Sequence, residues 1–175
     1  QPEQGISSII VASKAIENMN LLRIDEETTA NIGIVKGGCA TNIVMPELEL
    51  VAESRSLDEV KLDAQTKHMI DTFEGAAKEF GAEIEVKSTR MYPPMNLDEN
   101  EEIVEFTKRI FKSIDIEGKT ASTGGGSDTN VLNKNGIKSV NLGIGMKKAH
   151  TLDEYIAIED IITSAKTVIE IIKQA

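Results

Sequence analysis

The chain has 175 residues, 19 Lys and Arg against 29 Asp and Glu, and a formal net charge of −10. So acidic a chain lacks the basic footprint with which general nucleic-acid binders displace counterions, and the polybasic stretches that hold proteins on anionic membranes. Its length allows one ordinary domain or two small ones. Hydrophobic residues make up 40% and aromatics only 3%, so any core is built from Ile, Val, Leu, Met and Ala. The single cysteine, Cys39, excludes an intrachain disulfide and a thiolate zinc cage. Flanked by small residues and with no base nearby, it reads as structural rather than nucleophilic. One thiol fits a reducing compartment and hence a cytoplasmic protein. No apolar run nears the ~18 residues of a membrane helix, and no signal-peptide pattern precedes the first element.

Residues 5 to 20 place Ile6, Ile9, Ile10, Ile16 and Met19 at helical spacing, with Ala12 and Ala15 beside them. The chain opens on Gln1 and enters this pattern almost at once, a first sign that an N-terminal part is missing. Residues 29 to 36 read as a strand, Gly37-Gly38 as a turn, and residues 43 to 55 as a second strand in which Leu48, Leu50 and Ala52 alternate with Glu49, Val51 and Glu53. Ser56-Leu57-Asp58-Glu59 has the form of a capping box. It predicts a long helix over Val60, Leu62, Met69 and Phe73, stopped at Gly81. Residues 83 to 90 alternate again and predict a third strand. One strand ahead of the first helix would complete a ferredoxin-type βαββαβ sandwich.

Tyr92-Pro93-Pro94-Met95-Asn96 is the natural linker, since Pro-Pro continues neither helix nor central strand. Beyond it the pattern predicts a helix at 101–113, a short strand at 119–122, a glycine loop at 124–126 and a short helix at 128–135. A buried strand at 139–142, a loop at 143–151 and a last helix through Ile158, Ile161, Ile162, Val168, Ile169 and Ile172 complete it. This is an α/β layer with too few strands for a whole sheet, a second sign that part of a larger domain is absent.

Several residues could carry chemistry. Gly124-Gly125-Gly126-Ser127-Asp128 runs from strand to helix. It is neither a P-loop nor a dinucleotide fingerprint. It is open to two readings: a tight turn capped by Ser127 or Asp128, or an anion-binding turn. His150 sits in a loop beyond a strand, where ligand sites of α/β folds gather. It is either a surface residue or a metal ligand. His68, inside the long helix, reads as a helix-face residue. His-x-Asp, His-Glu-x-x-His and Cys-x-x-Cys are all absent, so the chain cannot build a recognisable metal site by itself. Asn42 begins and Arg55 ends the second strand, 13 residues apart. Arg55 suits a carboxylate, or else a surface ion pair.

Taken in order, Pro2-Glu3-Gln4-Gly5-Ile6-Ser7, Arg23 to Gly33, Gly37 to Val44, Arg55, Gly124 to Asp128 and Met146 to Tyr155 resemble the peptidase T-like branch of the dinuclear-zinc exopeptidase superfamily. That superfamily also holds carboxypeptidase G and aminoacylase. The resemblance runs the length of the chain. It implies a ferredoxin-like α+β lid and dimerisation domain at 1–90, followed at 91–175 by the C-terminal part of an α/β catalytic domain. By position His150 resembles the last zinc ligand. Asn42 and Arg55 resemble lid residues that hold a substrate carboxylate, and Gly125, Gly126 and Ser127 resemble the loop lining the substrate pocket. The other ligands of the two zinc ions and the Glu general base are expected upstream of Gln1.

The resemblance thus implies the C-terminal half of a zinc-dependent aminopeptidase for tripeptides or other short peptides, homodimeric through the lid and inactive as this fragment. A related zinc amidohydrolase or deacylase and a non-enzymatic dimerisation module are the alternatives. Neither nucleic acid nor membrane is expected as a partner.

Overall fold

The computed structural model describes every residue from Gln1 to Ala175, and the polypeptide divides into two units, Gln1–Pro94 and Met95–Ala175. In the first, the apolar stripe read from the sequence becomes α1 (Ser8–Glu17). It is followed by β1 (Leu22–Arg23), β2 (Thr29–Gly37), β3 (Leu48–Arg55) and α2 (Glu59–Phe80). The strands form one antiparallel sheet in the order β1-β2-β3. The β2–β3 ladder runs from Thr29 opposite Arg55 to Gly37 opposite Leu48, with an irregularity between Ile32 and Ile34. Gly33 is the extra residue there, a β-bulge of the kind glycine tolerates. At Gly37 an added Cβ would lie 2.7 Å from the Glu47 carbonyl oxygen, so the chain leaves the ladder through a position only glycine fits.

With almost no aromatics, small residues do the packing. Ala12 and Ala15 are buried in α1 and Ala76 and Ala77 in α2, and the two helices pack against each other. Met19, Ala30 and Met69 form the core, flanked by Leu21, Ile24, Ile32 and Phe73. The α1–β1 connection is gripped from α2 at both backbone polar groups of one residue, Asn20. Gln65 Nε2 donates to the Asn20 carbonyl at 2.9 Å, and the Asn20 N–H donates to His68 Nε2 at 3.1 Å. His68 is thus a structural anchor on the helix face.

The start of α2 differs from the capping box read in the sequence. Asp58, not Ser56, is the N-cap, and its Oδ1 accepts the Val60 and Lys61 N–H groups at 2.7 and 3.1 Å. A carboxylate is the stronger acceptor at a helix start. Ser56 instead pairs its hydroxyl with buried Thr28 at 3.0 Å. Gly81 ends the helix in the left-handed conformation, φ +67°, as its position implies. The predicted second strand begins at Leu48 rather than at residue 43.

Residues 83–90 form no ladder. The βαββαβ arrangement seats its last strand beside its first, and the chain holds no strand ahead of α1 to receive it. Arg90 instead ties this segment to α2 through Glu59 and Asp63.

The second unit contains α3 (Glu102–Ser113), α4 (Asp128–Lys134) and α5 (Ile158–Gln174). Ile110 of α3 is fully buried, and α3 packs on α5. The predicted strands at 119–122 and 139–142 find no partner and pair neither with each other nor with another segment. The bridge in this unit is an isolated one between Lys147 and Tyr155. Asn133 stands in for a strand neighbour: its Nδ2 donates to the Thr129 and Ser139 carbonyls at 2.8 and 2.7 Å, and its Oδ1 accepts the Ser139 N–H at 3.2 Å. Without a sheet to cover, α5 turns its apolar stripe outward. Ile158, Ile161, Ile162, Val168, Ile169 and Ile172 are all exposed, while Thr167 is buried. The mixed α/β class holds, with its antiparallel sheet confined to the first unit.

The turn from β1 to β2 generates a pH prediction. Asp25 Oδ1 accepts the N–H groups of Glu27 and Thr28 at 2.9 and 2.8 Å, and Lys61 lies 3.3 Å from its other oxygen. The two backbone donors, seconded by Lys61, hold the carboxyl well below its ordinary range, at about 2. A carboxyl lowered by folding stabilises the fold above its unfolded value, and the contribution disappears as pH falls through the folded value. The stability gap between wild type and Asp25→Asn, measured by urea denaturation, should therefore be widest above pH ~4 and close toward pH ~2.

Candidate functional site

The candidate residues divide between the two units. In the first, Arg55 is the last residue of β3 and Asn42 lies in the exposed loop between β2 and β3. The sequence reading put Asn42 at the start of a strand. It sits instead in the turn closed by the Ile43 N–H on the Ala40 carbonyl at 3.4 Å. The register sets these two residues apart. Arg55 pairs with Thr29 at one end of the hairpin, and the loop leaves from the other end at Gly37 and Leu48. Roughly seven residue steps of about 3.4 Å each separate Arg55 from that end. The two side chains therefore cannot grip a single carboxylate from within one hairpin.

Arg55 Nη2 donates to Glu53 Oε2 at 2.9 Å. That hydrogen bond raises the guanidinium's already high pKa, so the group stays charged. A guanidinium presents five N–H donors in a planar fork. A substrate carboxylate arriving here would share that fork with Glu53.

In the second unit the glycine turn leads into α4. Ser127 is its N-cap: Oγ accepts the Thr129 N–H at 3.4 Å, and the Ser127 N–H donates to Asn130 Oδ1 at 3.0 Å, completing a capping box. The Ser127 hydroxyl also lies 3.0 Å from Asn141 Oδ1, which can accept its proton. The capped-turn reading of Ser127 is thus what the structure shows locally. The glycines are a separate matter. Neither Gly124 nor Gly125 has a positive φ. An added Cβ would meet nothing at Gly124 and only Thr123 Oγ1, at 3.7 Å, at Gly125. Nothing within the chain demands glycine at either position.

His150 lies in an exposed loop with φ +66°, and its N–H donates to Glu154 Oε2 at 2.6 Å. Lys147 and Tyr155 close the loop with two backbone hydrogen bonds of 2.9 and 3.2 Å. Sequence reasoning passed over Glu154 and Asn141. An acidic residue four positions after a loop histidine was the one available signal for Glu154. No group of three or more His, Cys, Asp or Glu is placed to hold a metal ion. A single imidazole on an exposed loop is one donor, and the residues present do not make a metal centre. Cys39 is exposed, which removes it from any core.

Comparison with known proteins fits this division. Residues 1–81 match the peptidase dimerisation domain of M20 enzymes. That match covers most of the first unit. The likeness continues through the rest of the chain. YqjE of Bacillus subtilis strain 168, an uncharacterized protein, is 44% identical over all of this chain and 47% of its own length. An uncharacterized metallohydrolase of Methanocaldococcus jannaschii is 26% identical over 98% of this chain and 47% of its own. Among solved structures, a tripeptidase from Staphylococcus aureus subsp. aureus Mu50 superposes with TM-score 0.90 at 43% identity, covering 98% of this chain and 46% of that one. The aminopeptidase PepT of Bacillus cereus ATCC 10987 gives 0.84 at 42% identity, covering 97% and 46%. The resemblance to the peptidase T-like branch is thus borne out, and the chain spans about half the length of the relatives it matches. No helix is long and apolar enough to cross a membrane.

The open surroundings of Gly125 make a stability prediction. Gly125→Ala should leave the thermal midpoint unchanged or slightly raised, because alanine fits and trims the unfolded ensemble. Calorimetry of the purified variant measures this, and a fall of several degrees would contradict the open geometry.

Proposed function

We propose that this chain is part of a zinc-dependent exopeptidase, an aminopeptidase acting on tripeptides and other short peptides. The observation that carries the reading is likeness over nearly the whole chain, at 42–43% identity, to solved structures of an aminopeptidase and a tripeptidase. The metallohydrolase relative supports the use of a metal. In this reading residues 1–90 form the lid and 91–175 the closing part of the catalytic domain. His150 is one metal ligand, and the remaining ligands and the general base lie outside these 175 residues. Gly125, Gly126 and Ser127 line the substrate pocket, and the unexplained glycines of that turn mark where a ligand's backbone would come close. Arg55 receives a charged substrate end. Asn42, at the other end of the hairpin, is too far away to share that substrate end. The outward apolar stripe of α5 supports a catalytic domain larger than this chain.

Residues 1–81 would pair two copies into a homodimer. Support comes from the family match and from one face of the hairpin, where the cross-strand neighbours Ile34 and Val51 are both exposed. β1 covers only Thr29 and Ala30 of β2, which leaves a strand edge for pairing. The lone thiol supports a cytoplasmic setting.

The decisive assay is hydrolysis of unblocked and N-blocked tripeptides in the presence of zinc, by these 175 residues and by the full-length protein. Cleavage of unblocked peptides by the full-length form alone is expected. Turnover by the isolated 175 residues would overturn the assignment of the missing ligands. No turnover by the full-length protein would leave the dimerisation-module reading. In the full-length protein, His150→Ala should lower bound zinc, read by elemental analysis, and cut kcat by about 100-fold or more. Arg55→Ala should raise KM with kcat nearly unchanged, since it removes binding common to ground and transition states.

A further inference from the structure

We propose that Glu154 is a positioning residue for His150, its carboxylate accepting the His150 backbone N–H and fixing that residue in a left-handed conformation. This rests on the reading of His150 as a site residue given above. The observations that lead to it concern the loop alone.

Positive φ is uncommon for residues other than glycine, because Cβ crowds the following carbonyl. The loop contains two such residues close together, Lys148 at φ +53° and His150 at φ +66°. An L-residue stays there only where its surroundings over-determine it. Around Lys148 the determinants are clear: its carbonyl accepts both the Thr151 hydroxyl at 2.8 Å and the Thr151 N–H at 3.2 Å. The Asp153 N–H then donates to Thr151 Oγ1 at 3.3 Å. These bonds shape the turn but touch no atom of His150. The contact that reaches the histidine itself is Glu154 Oε2, at 2.6 Å from its N–H. Glu154 is well seated for the task, since its neighbour Tyr155 is locked to Lys147 by two backbone hydrogen bonds. At 2.6 Å the contact is a close hydrogen bond.

The consequence is directional. Backbone φ sets where the Cα–Cβ bond points, so releasing the His150 N–H lets the residue relax to an ordinary conformation and swings its imidazole away. A misplacement of about 1 Å in a catalytic group can cost about 100-fold in rate. Glu154 would work as an acceptor rather than as a charge, which a neutral isostere can reveal.

The test uses the full-length protein, labelled with 15N-histidine, in wild-type, Glu154→Gln and Glu154→Leu forms. The His150 amide should exchange about tenfold faster or more in the Leu form and within about threefold of wild type in the Gln form. In parallel, tripeptide hydrolysis by the Leu form should show kcat reduced about tenfold or more with KM held, and the Gln form should recover most of it. Unaltered exchange at His150 in the Leu form would overturn the proposal. So would a Gln form that exchanges as fast as Leu, since the carboxylate would then act by its charge. If exchange responds as expected while kcat does not, the contact stands and the placement of His150 in the site fails instead.

Discussion

The first unit depends on how closely two helices can approach one hairpin. Aromatics are scarce, Phe73 being the ring that flanks the core, and the fold uses small side chains to bring backbones together. Alanines of α1 and α2 are buried where these helices pack, and Met19 and Met69 fill what remains around Ala30. Such a core tolerates little slack, and the connections are correspondingly held by polar clamps. The Asn20 backbone is held at both its N–H and its carbonyl by α2, and Lys61 meets the acidic turn at Asp25 and Glu27. Sequence neighbours thus matter less than the side chains α2 sends back across the sheet.

Much of this was legible in the sequence. Period-3.6 stripes located four of the five helices, and Gly37 and Gly81 marked the ends of elements because one cannot carry a Cβ and the other adopts positive φ. The strands were legible only where both partners are in the chain. Residues 29–37 and 48–55 pair with each other and form. Residues 83–90, 119–122 and 139–142 have the right alternation or apolar run but no neighbour, and they stay without ladders. Propensity describes one strand, whereas a sheet is a property of two. The cap of α2 was misassigned by two residues for a related reason. Ser56 and Asp58 both suit an N-cap, and the tie was broken by buried Thr28, which pairs with the serine.

The site was legible by residue type and not by geometry. Spacing suggested that Asn42 and Arg55 share a strand and a task. The register shows that they occupy opposite ends of a hairpin. The glycine turn held both of its readings at once: Ser127 caps α4 as a structural residue should, while a Cβ at Gly124 or Gly125 would have room. For His150 only the residue type and its loop were readable. The left-handed backbone and the carboxylate that meets its N–H are three-dimensional facts with no periodic signature.

The orientation of α5 carries a practical consequence for anyone handling these 175 residues. Six aliphatic side chains, from Ile158 to Ile172, line the water-facing side of a helix whose packed side includes a buried threonine. Net charge of −10 spreads repulsion over the molecule, but it does not dissolve a continuous greasy ridge. Concentrating such a preparation drives the ridges of separate molecules together, and added sulfate strengthens that attraction while screening the repulsion. Colloidal behaviour in the tube is thus set by one helix, and its remedy is dilution, low salt and cooling, which weakens the apolar attraction.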